Sequence, residues 1–219
     1  NRSLLMKGHG VTASTWLELV IILTFFFGKG ITAMADTQTS QPTSSDDRLL
    51  SIAETRRSIR QYTDEPIAPE IIKKILTVAM LAPSSYGQNP VEFVVVTGKE
   101  KLAGLAACKR IGAPSVRKSA ASVVVMVDTS KGELWAEDGS VAATYLLLAA
   151  EHYGIGACWN QIRLRDGREK SASREICELL GVPSRYEVVC VVALGHPKTQ
   201  LPPHSKENLD LKRLHFEHY

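Results

Sequence analysis

The residues best suited to chemistry form a short basic cluster, Arg56-Arg57-Ser58-Ile59-Arg60, at a point where a helical pattern gives way to an extended one. On an extended backbone, side chains two residues apart point to the same face. Arg56, Ser58 and Arg60 could therefore converge on one phosphate, each charge-assisted bond contributing on the order of 1.5–3 kcal/mol when partly shielded. The alternative is that these arginines interact only with the carbonyl groups at a helix end and with water. The cluster alone leaves both interpretations open.

A second candidate segment lies about one helix further on and consists mostly of small, polar and turn-forming residues, Pro83-Ser84-Ser85-Tyr86-Gly87-Gln88-Asn89-Pro90. It separates a helical pattern, ended by Pro83, from the β-branched run that begins at Val91. A loop between a helix and a core strand is a usual place for ligand contacts, because rigid elements on either side position its residues. We therefore consider the two segments together.

Composition limits the classes of protein that this site could serve. A chain of 219 residues, with 44% hydrophobic and 22% charged residues, suits one globular domain large enough to bury a core. The formal net charge is +3, and residues 1–35 hold three basic residues and one acid, which leaves +1 for the remainder. A nearly neutral domain argues against nucleic acid as a partner. The four cysteines match neither a zinc site nor a redox pair, and we expect buried or free thiols in a reducing compartment.

Residues 1–47 are interpreted as a leader, separate from a domain at residues 48–219. The apolar run at 19–27 is too short to span a bilayer as a helix, which needs about 20 residues. With Lys7 before it and Ala33-Met34-Ala35 after it, the segment resembles a signal peptide. The alternative, which we favour, is that Met34 is the true start and that residues 1–33 are upstream sequence.

This interpretation predicts a cytoplasmic protein without stable membrane association, exported only if residues 1–35 are a signal peptide. Residues 36–47 are polar and lack apolar anchors, so they are expected to form a flexible lead-in. Ordered structure is expected to begin near Asp46, a residue suited to the N-cap of a first helix.

Hydrophobic periodicity predicts the elements that must position the two segments. We expect helices over residues 49–55, 69–82 and 99–107, a central helix over 134–153 capped by Gly154, and a short helix over 176–180 capped by Ser173. Strands are expected over residues 91–97, 122–128, 155–160 and 187–194. The highly charged segment 161–173 is expected to be an exposed, mobile loop that either covers a site or is simply solvated. The polar tail after Gly195 is expected to lie over the same body or a partner subunit.

Motifs for other chemistries are absent from the sequence. It contains no nucleoside-triphosphate phosphate loop, no dinucleotide fingerprint after a first strand and no serine-hydrolase elbow. His152 lies on the predicted central helix without a metal-ligand partner at matching spacing, so we expect a packing role for it and no metal site.

Taken jointly, five pieces of the chain between about residue 48 and residue 197 resemble the nitroreductase family of flavoproteins in order and spacing. They are Arg56-Arg57-Ser58-Ile59-Arg60-Gln61-Tyr62; Ala82-Pro83-Ser84-Ser85 leading into Asn89-Pro90 and Phe93-Val94-Val95-Val96; Ala149-Ala150 followed by Gly154-Ile155-Gly156-Ala157-Cys158-Trp159; Leu180-Gly181-Val182-Pro183; and Val192-Ala193-Leu194-Gly195-His196-Pro197. The resemblance implies an α+β fold with a mostly antiparallel central sheet flanked by helices. It also implies an intertwined homodimer with one FMN at each of two interface sites.

The resemblance also assigns roles to individual residues. Arg56, Ser58 and Arg60, together with Arg57 between them, correspond to the phosphate and ribityl contacts. Pro83, Ser84 and Ser85, with Asn89 nearby, correspond to the loop that the other subunit lays against the isoalloxazine. Ile155, Gly156 and Ala157 correspond to the segment whose backbone faces the ring edge, and Lys198 is a further candidate for the phosphate end.

The function implied by the resemblance is reduction by two electrons from NADH or NADPH, through the flavin, of a small-molecule acceptor of the nitroaromatic, quinone or enone type. No catalytic side chain is expected, because the flavin performs the chemistry. A flavin-binding redox sensor or regulator would need the same binding residues and the same dimer. It would not need an open pocket beside the ring, and the sequence does not choose between the two.

Overall fold

The apolar runs of the sequence pair into one four-stranded sheet. The computed structural model describes residues 47–219 and contains the strands β1 (Val91–Val96), β2 (Ala121–Asp128), β3 (Gly156–Gln161) and β4 (Tyr186–Gly195). Their order across the sheet is β1-β2-β4-β3, and every neighbouring pair is antiparallel. The predicted α+β fold with a mostly antiparallel sheet is therefore confirmed.

Six α-helices accompany the sheet in the described residues. They are α1 (Arg48–Thr55), α2 (Pro69–Met80), α3 (Lys99–Ala107), α4 (Pro114–Arg117), α5 (Trp135–His152) and α6 (Ala172–Leu180). Alternate side chains of β2 face opposite sides of the sheet. Val123 and Val125 pack in one core with Ile75 of α2 and Leu146 of α5. On the other face, Val124 shares a second core that includes residues of α3 and α6. The helices therefore cover both faces of the two central strands, which explains why these strands are almost uniformly apolar.

The central helix α5 lies very close to the sheet. A Cβ atom added to Gly139 would lie 2.6 Å from Val189 Cγ2 and 2.9 Å from Val127 Cγ2, so a larger residue does not fit there. The helix ends at His152, and Gly154 follows with a φ of +69°. The prediction of one long helix rich in small residues and ended by Gly154 is confirmed within one residue at each end.

The helix caps correct two details of the sequence analysis. Asp47 caps α1, because its carboxylate accepts a hydrogen bond from the Leu50 amide at 3.3 Å; Asp46 lies outside the described residues. Ser171 caps α6 through the Arg174 amide, so the prediction that Ser173 is the cap is wrong. Ser173 is instead buried, because its hydroxyl bridges two groups of β4, donating to the Glu187 carboxylate and accepting from the Val188 amide.

The charged segment before α6 is organised by a carboxylate. Glu175 Oε1 accepts hydrogen bonds from three successive backbone amides, those of Arg168, Glu169 at 2.8 Å and Lys170 at 3.3 Å. These amide bonds, the one from Glu169 foremost, hold the pKa of the Glu175 carboxyl below its usual range. The segment predicted to be a mobile loop is therefore a turn built around one side chain.

The predictions for the leader, residues 1–46, lie outside the described residues. Among residues 47–219, no helix combines the length and hydrophobicity needed to cross a bilayer. The four cysteines are all free and buried, as expected.

Candidate functional site

The basic segment leaves α1 at Arg56 and becomes extended, as its alternating pattern predicts. It runs beside the first residues of β3, with a parallel bridge between Ser58 and Ala157 and a 2.9 Å hydrogen bond from the Ile59 amide to the Ala157 carbonyl. The two segments that the resemblance assigns to the phosphate and to the ring edge are therefore neighbours in the fold.

The donors on one face of this segment are free. Among residues 47–219, neither the Arg56 guanidinium nor the Ser58 hydroxyl has a side-chain hydrogen bond or an ion pair, although both side chains are half-buried. Arg60 is exposed and donates one bond, from Nη1 to the Ser58 carbonyl at 3.2 Å. Two positive charges and a hydroxyl without carboxylate partners are suited to holding an anion.

Arg57 faces the other side of the segment. It lines a cavity of about 290 Å³ together with Ile59 and Glu151, and its Nη1 donates to the Pro202 carbonyl. The tail continues along α1, where the His204 amide donates to the Glu54 carbonyl at 2.8 Å. Arg57 is thus separated from the three residues that alternate with it, and part of the polar tail lies on its own chain.

Gly156 lets the basic segment approach β3 closely. A Cβ atom at this position would lie 2.9 Å from Ile59 Cγ2 and 3.1 Å from Pro197 Cγ. On either side of it, the Ile155 amide donates to the Ala150 carbonyl at 2.8 Å, and the Ala157 carbonyl is already bonded to Ile59. The Ile155 amide is therefore used by the fold, whereas the Ala157 carbonyl oxygen has a second lone pair and can still accept a hydrogen bond.

Lys198 lies on the opposite side of the same segment. Its amide donates to the Gln61 carbonyl at 3.0 Å, next to a bridge between Tyr62 and Pro197, and its side chain is exposed. The site is therefore held from both sides, by β3 and by the chain after β4. The structure brings Lys198 into the neighbourhood of the basic segment, and its role at the phosphate end stays a prediction.

Tyr62 anchors the segment, and the sequence analysis did not assign it a role. Its hydroxyl donates to the Ile59 carbonyl at 2.6 Å, and its ring packs on Gly195, where an added Cβ atom would lie 2.6 Å from the ring. Burial raises the pKa of the Tyr62 hydroxyl well above its usual range, so it remains a donor at physiological pH. The signal that could have found it is a tyrosine two residues beyond the basic cluster together with a glycine at the end of the last strand.

The second candidate segment is a tight turn fastened to α5. The Ser85 amide and hydroxyl both donate to Asp138 Oδ1, at 2.8 and 3.0 Å, and the Asn89 amide donates to the Ser84 hydroxyl at 2.9 Å. Pro83, Ser84, Asn89 and Asp138 line a cavity of about 370 Å³. Asp138 is a buried acid that the sequence analysis missed, because no local pattern in the sequence distinguishes it from a solvent-exposed acid on a helix.

The two candidate segments lie at opposite corners of the sheet within one chain. The basic segment accompanies β3, and the turn leads into β1, three strand spacings or about 14 Å away. Gly156 is level with the end of β4, whereas Val91 is level with the start of β4, which adds about 20 Å along the strands. One chain therefore does not bring the two segments together.

Metal chemistry has no support in the described part of the chain, where no group of three or more metal-ligating side chains occurs. His152 is exposed and meets only the edge of the Tyr153 ring, with 4.8 Å between the centroids. The packing role expected for His152 is therefore wrong, because the helix ends at this residue and leaves it at the surface.

Comparison with known proteins identifies a set of relatives. The model of the family described as "Nitroreductase family" matches residues 53–138 and 119–196. A protein of Archaeoglobus fulgidus named "Putative NADH dehydrogenase/NAD(P)H nitroreductase" is 39% identical over 158 residues, which cover 70% of this chain and 88% of that protein.

Solved structures agree with this match. An FMN-dependent nitroreductase from Clostridium difficile R20291 is 37% identical with a TM-score of 0.75, and the match covers 78% of this chain and 99% of that one. A protein of Desulfovibrio desulfuricans, described as a "putative nitroreductase in complex with fmn", is 27% identical with a TM-score of 0.62, and the match covers 78% and 96% of the two chains.

Proposed function

Because the chain belongs to the nitroreductase family, we propose that it is an FMN-dependent oxidoreductase that transfers two electrons from NADH or NADPH to a small organic acceptor. The acceptor class that we propose is a nitroaromatic, a quinone or an enone. The names of the relatives support the proposal, since they include an FMN-dependent nitroreductase and an FMN reductase that uses NAD(P)H. For a quinone, the donor supplies a hydride and the solvent a proton, so that the acceptor leaves as a hydroquinone.

The observation that carries the proposal is the pair of free donors at Arg56 and Ser58. Neither side chain is committed to another residue among residues 47–219, and a phosphate would accept charge-assisted bonds from both of them. Arg60 adds a second positive charge from the same face of the extended segment, and Lys198, whose amide is bonded to the Gln61 carbonyl just beyond that segment, can contribute a third. These residues fit the phosphate of FMN by charge and by donor chemistry.

We further propose that the site is completed in a homodimer. Pro83, Ser84, Ser85 and Asn89 of a second copy would face the flavin that the basic segment of the first copy holds. The separation of the two segments at opposite corners of one chain supports this arrangement. Large apolar side chains also remain exposed, and their burial in an assembly would be favourable; they are Leu49, Met80, Leu81, Leu211 and Phe216.

FMN, when bound, supplies the electron transfer, and the protein binds and orients it. Arg56, Ser58 and Arg60 would hold the phosphate end, and Tyr62 keeps their segment against β4 through its bond to the Ala193 carbonyl at 3.3 Å and the packing of its ring on Gly195. The close packing of Gly156 on Ile59 and Pro197 prevents the β3 side of the site from shifting. No acid or base side chain is required by this scheme, which is consistent with a site rich in donors and poor in carboxylates.

The proposal also includes a cytoplasmic location. Four buried cysteines without a disulfide suit a reducing compartment, where thiols persist. Fractionation of cells that produce the natural protein tests this point. Recovery from a membrane or periplasmic fraction, with residues 1–35 removed, would contradict it.

An absorbance spectrum of the freshly purified protein, followed by a turnover assay, tests the proposed activity. We expect flavin bands in the visible range and continuous oxidation of NADH or NADPH in the presence of a quinone. A colourless protein that does not take up added FMN would refute flavin binding. A protein that is reduced once and then stops would instead be a redox sensor.

A further inference from the structure

Tyr86 is the residue whose position the proposed function does not yet explain. Its side chain is 95% exposed, and its φ is +51°, a left-handed conformation that is unusual for a bulky residue. Among the described residues, its side chain has no hydrogen bond and no ring contact. Backbone strain of this kind persists only where the surrounding structure maintains it, and it is often found at ligand sites.

The turn that carries Tyr86 is held rigidly on both sides. Before it, Ser85 is bound twice to the buried Asp138 carboxylate. After it, the Asn89 side chain donates to the Gly87 carbonyl at 3.1 Å, and both residues have a positive φ. The backbone of Tyr86 is therefore held at a fixed place by its neighbours, and no contact within the described residues ties its ring to the chain's own surface.

The geometry points to Tyr86 as a specificity-determining residue. We propose that its ring lies beside the acceptor bound at the flavin of the second copy and favours flat aromatic or quinone acceptors by stacking on them. The inference rests on the proposed function, because it needs the turn of one copy to face the flavin held by the other. A tyrosine suits this role, since its ring offers a large apolar face at a small cost in side-chain freedom.

An aromatic pair of this kind contributes a modest and measurable selectivity. Removing one ring of a stacked aromatic pair changes an equilibrium or rate constant by roughly 3- to 10-fold. We expect Tyr86→Ala to lower the ratio of kcat/KM for menadione, a flat quinone, to kcat/KM for ferricyanide by about this factor. Tyr86→Phe keeps the ring and should stay within about twofold of the wild-type ratio.

The experiment compares these two variants with Leu164→Ala in the flavin-loaded dimer. Leu164 is a matched control, because it is 82% exposed with a φ of +59° and lies in a different turn. Flavin content and mass are measured for every variant. The proposal is supported if only Tyr86→Ala lowers the ratio.

Other outcomes decide against it. An equal loss of rate with both acceptors, or loss of flavin or of the dimer, would show that Tyr86 serves the cofactor or the interface. An unchanged ratio would show that it does not contact the acceptor. Failure of the proposed function is recognised separately, because the wild-type protein would then lack flavin or fail to turn over.

Discussion

Removal of Arg56 should weaken FMN binding more than removal of Arg60. Arg56 is half-buried and has no partner in residues 47–219, so its full charge is available to a phosphate. Arg60 is exposed and already donates to the Ser58 carbonyl. Charge-assisted bonds contribute about 1.5–3 kcal/mol, and screening by water reduces this value at exposed positions. We therefore expect a loss of about 100-fold for Arg56→Ala and about 10-fold for Arg60→Ala.

Titration of the apoprotein with FMN, followed by flavin fluorescence at fixed salt, measures both affinities. Arg117→Ala is the control, because Arg117 is an exposed arginine on α4 that is not part of the basic segment. Arg57→Ala provides a second comparison and should change the affinity less than Arg56→Ala, since Arg57 is engaged by the tail. If both Arg56→Ala and Arg60→Ala bound FMN as tightly as the wild type, the phosphate site would have to be elsewhere.

Light scattering at micromolar concentration should give the mass of two chains, and a flavin-loaded monomer would contradict the shared site. Gly195→Ala should destabilise the fold by about 1–3 kcal/mol through the clash with Tyr62, measured by denaturant unfolding; an unchanged midpoint would show that the ring can move aside. The depressed pKa of Glu175 means that its stabilisation is present above about pH 4.3 and is lost as the pH falls. Glu175→Gln should therefore melt at a lower temperature than the wild type at pH 7, and the difference should shrink in acid; a constant difference would refute this. Burial raises the pKa of the Cys108 thiol to about 11, so a thiol reagent at pH 8 should label it only after unfolding.

Most elements were predictable from sequence because local pattern and burial agree in them; helix α4 was not predicted, and α6 begins four residues before its predicted start. The four strands are β-branched runs between turn residues, and the bounds of α5 differ from the periodicity by one residue at each end. The extended course of the basic segment was also predictable, since the alternation of Arg56, Ser58 and Arg60 is a local property. In the structure, Ile59 is indeed buried between residues that face outward.

Contacts between distant parts of the chain account for what was missed. From the sequence alone, Asp138 is expected to be a solvent-exposed acid on a helix. In the structure it binds Ser85, which lies 53 positions away in the chain. Ser171 and Ser173 are both suitable caps, and only the contact of Ser173 with β4 decides between them. A single sequence contains no signal for either pairing. The roles assigned to the individual site residues stay predictions until the flavin titrations are done.

The placement of the two candidate segments at opposite corners of the sheet has a genetic consequence. If each site takes its basic segment from one copy and its turn from the other, a chain damaged in the first segment and a chain damaged in the second can complement each other. In a mixed dimer, one site would receive both defects and the other would receive neither. Random mixing of two inactive variants in equal amounts would then restore about one quarter of the sites. Two alleles that are each inactive alone would together support growth wherever the activity is needed.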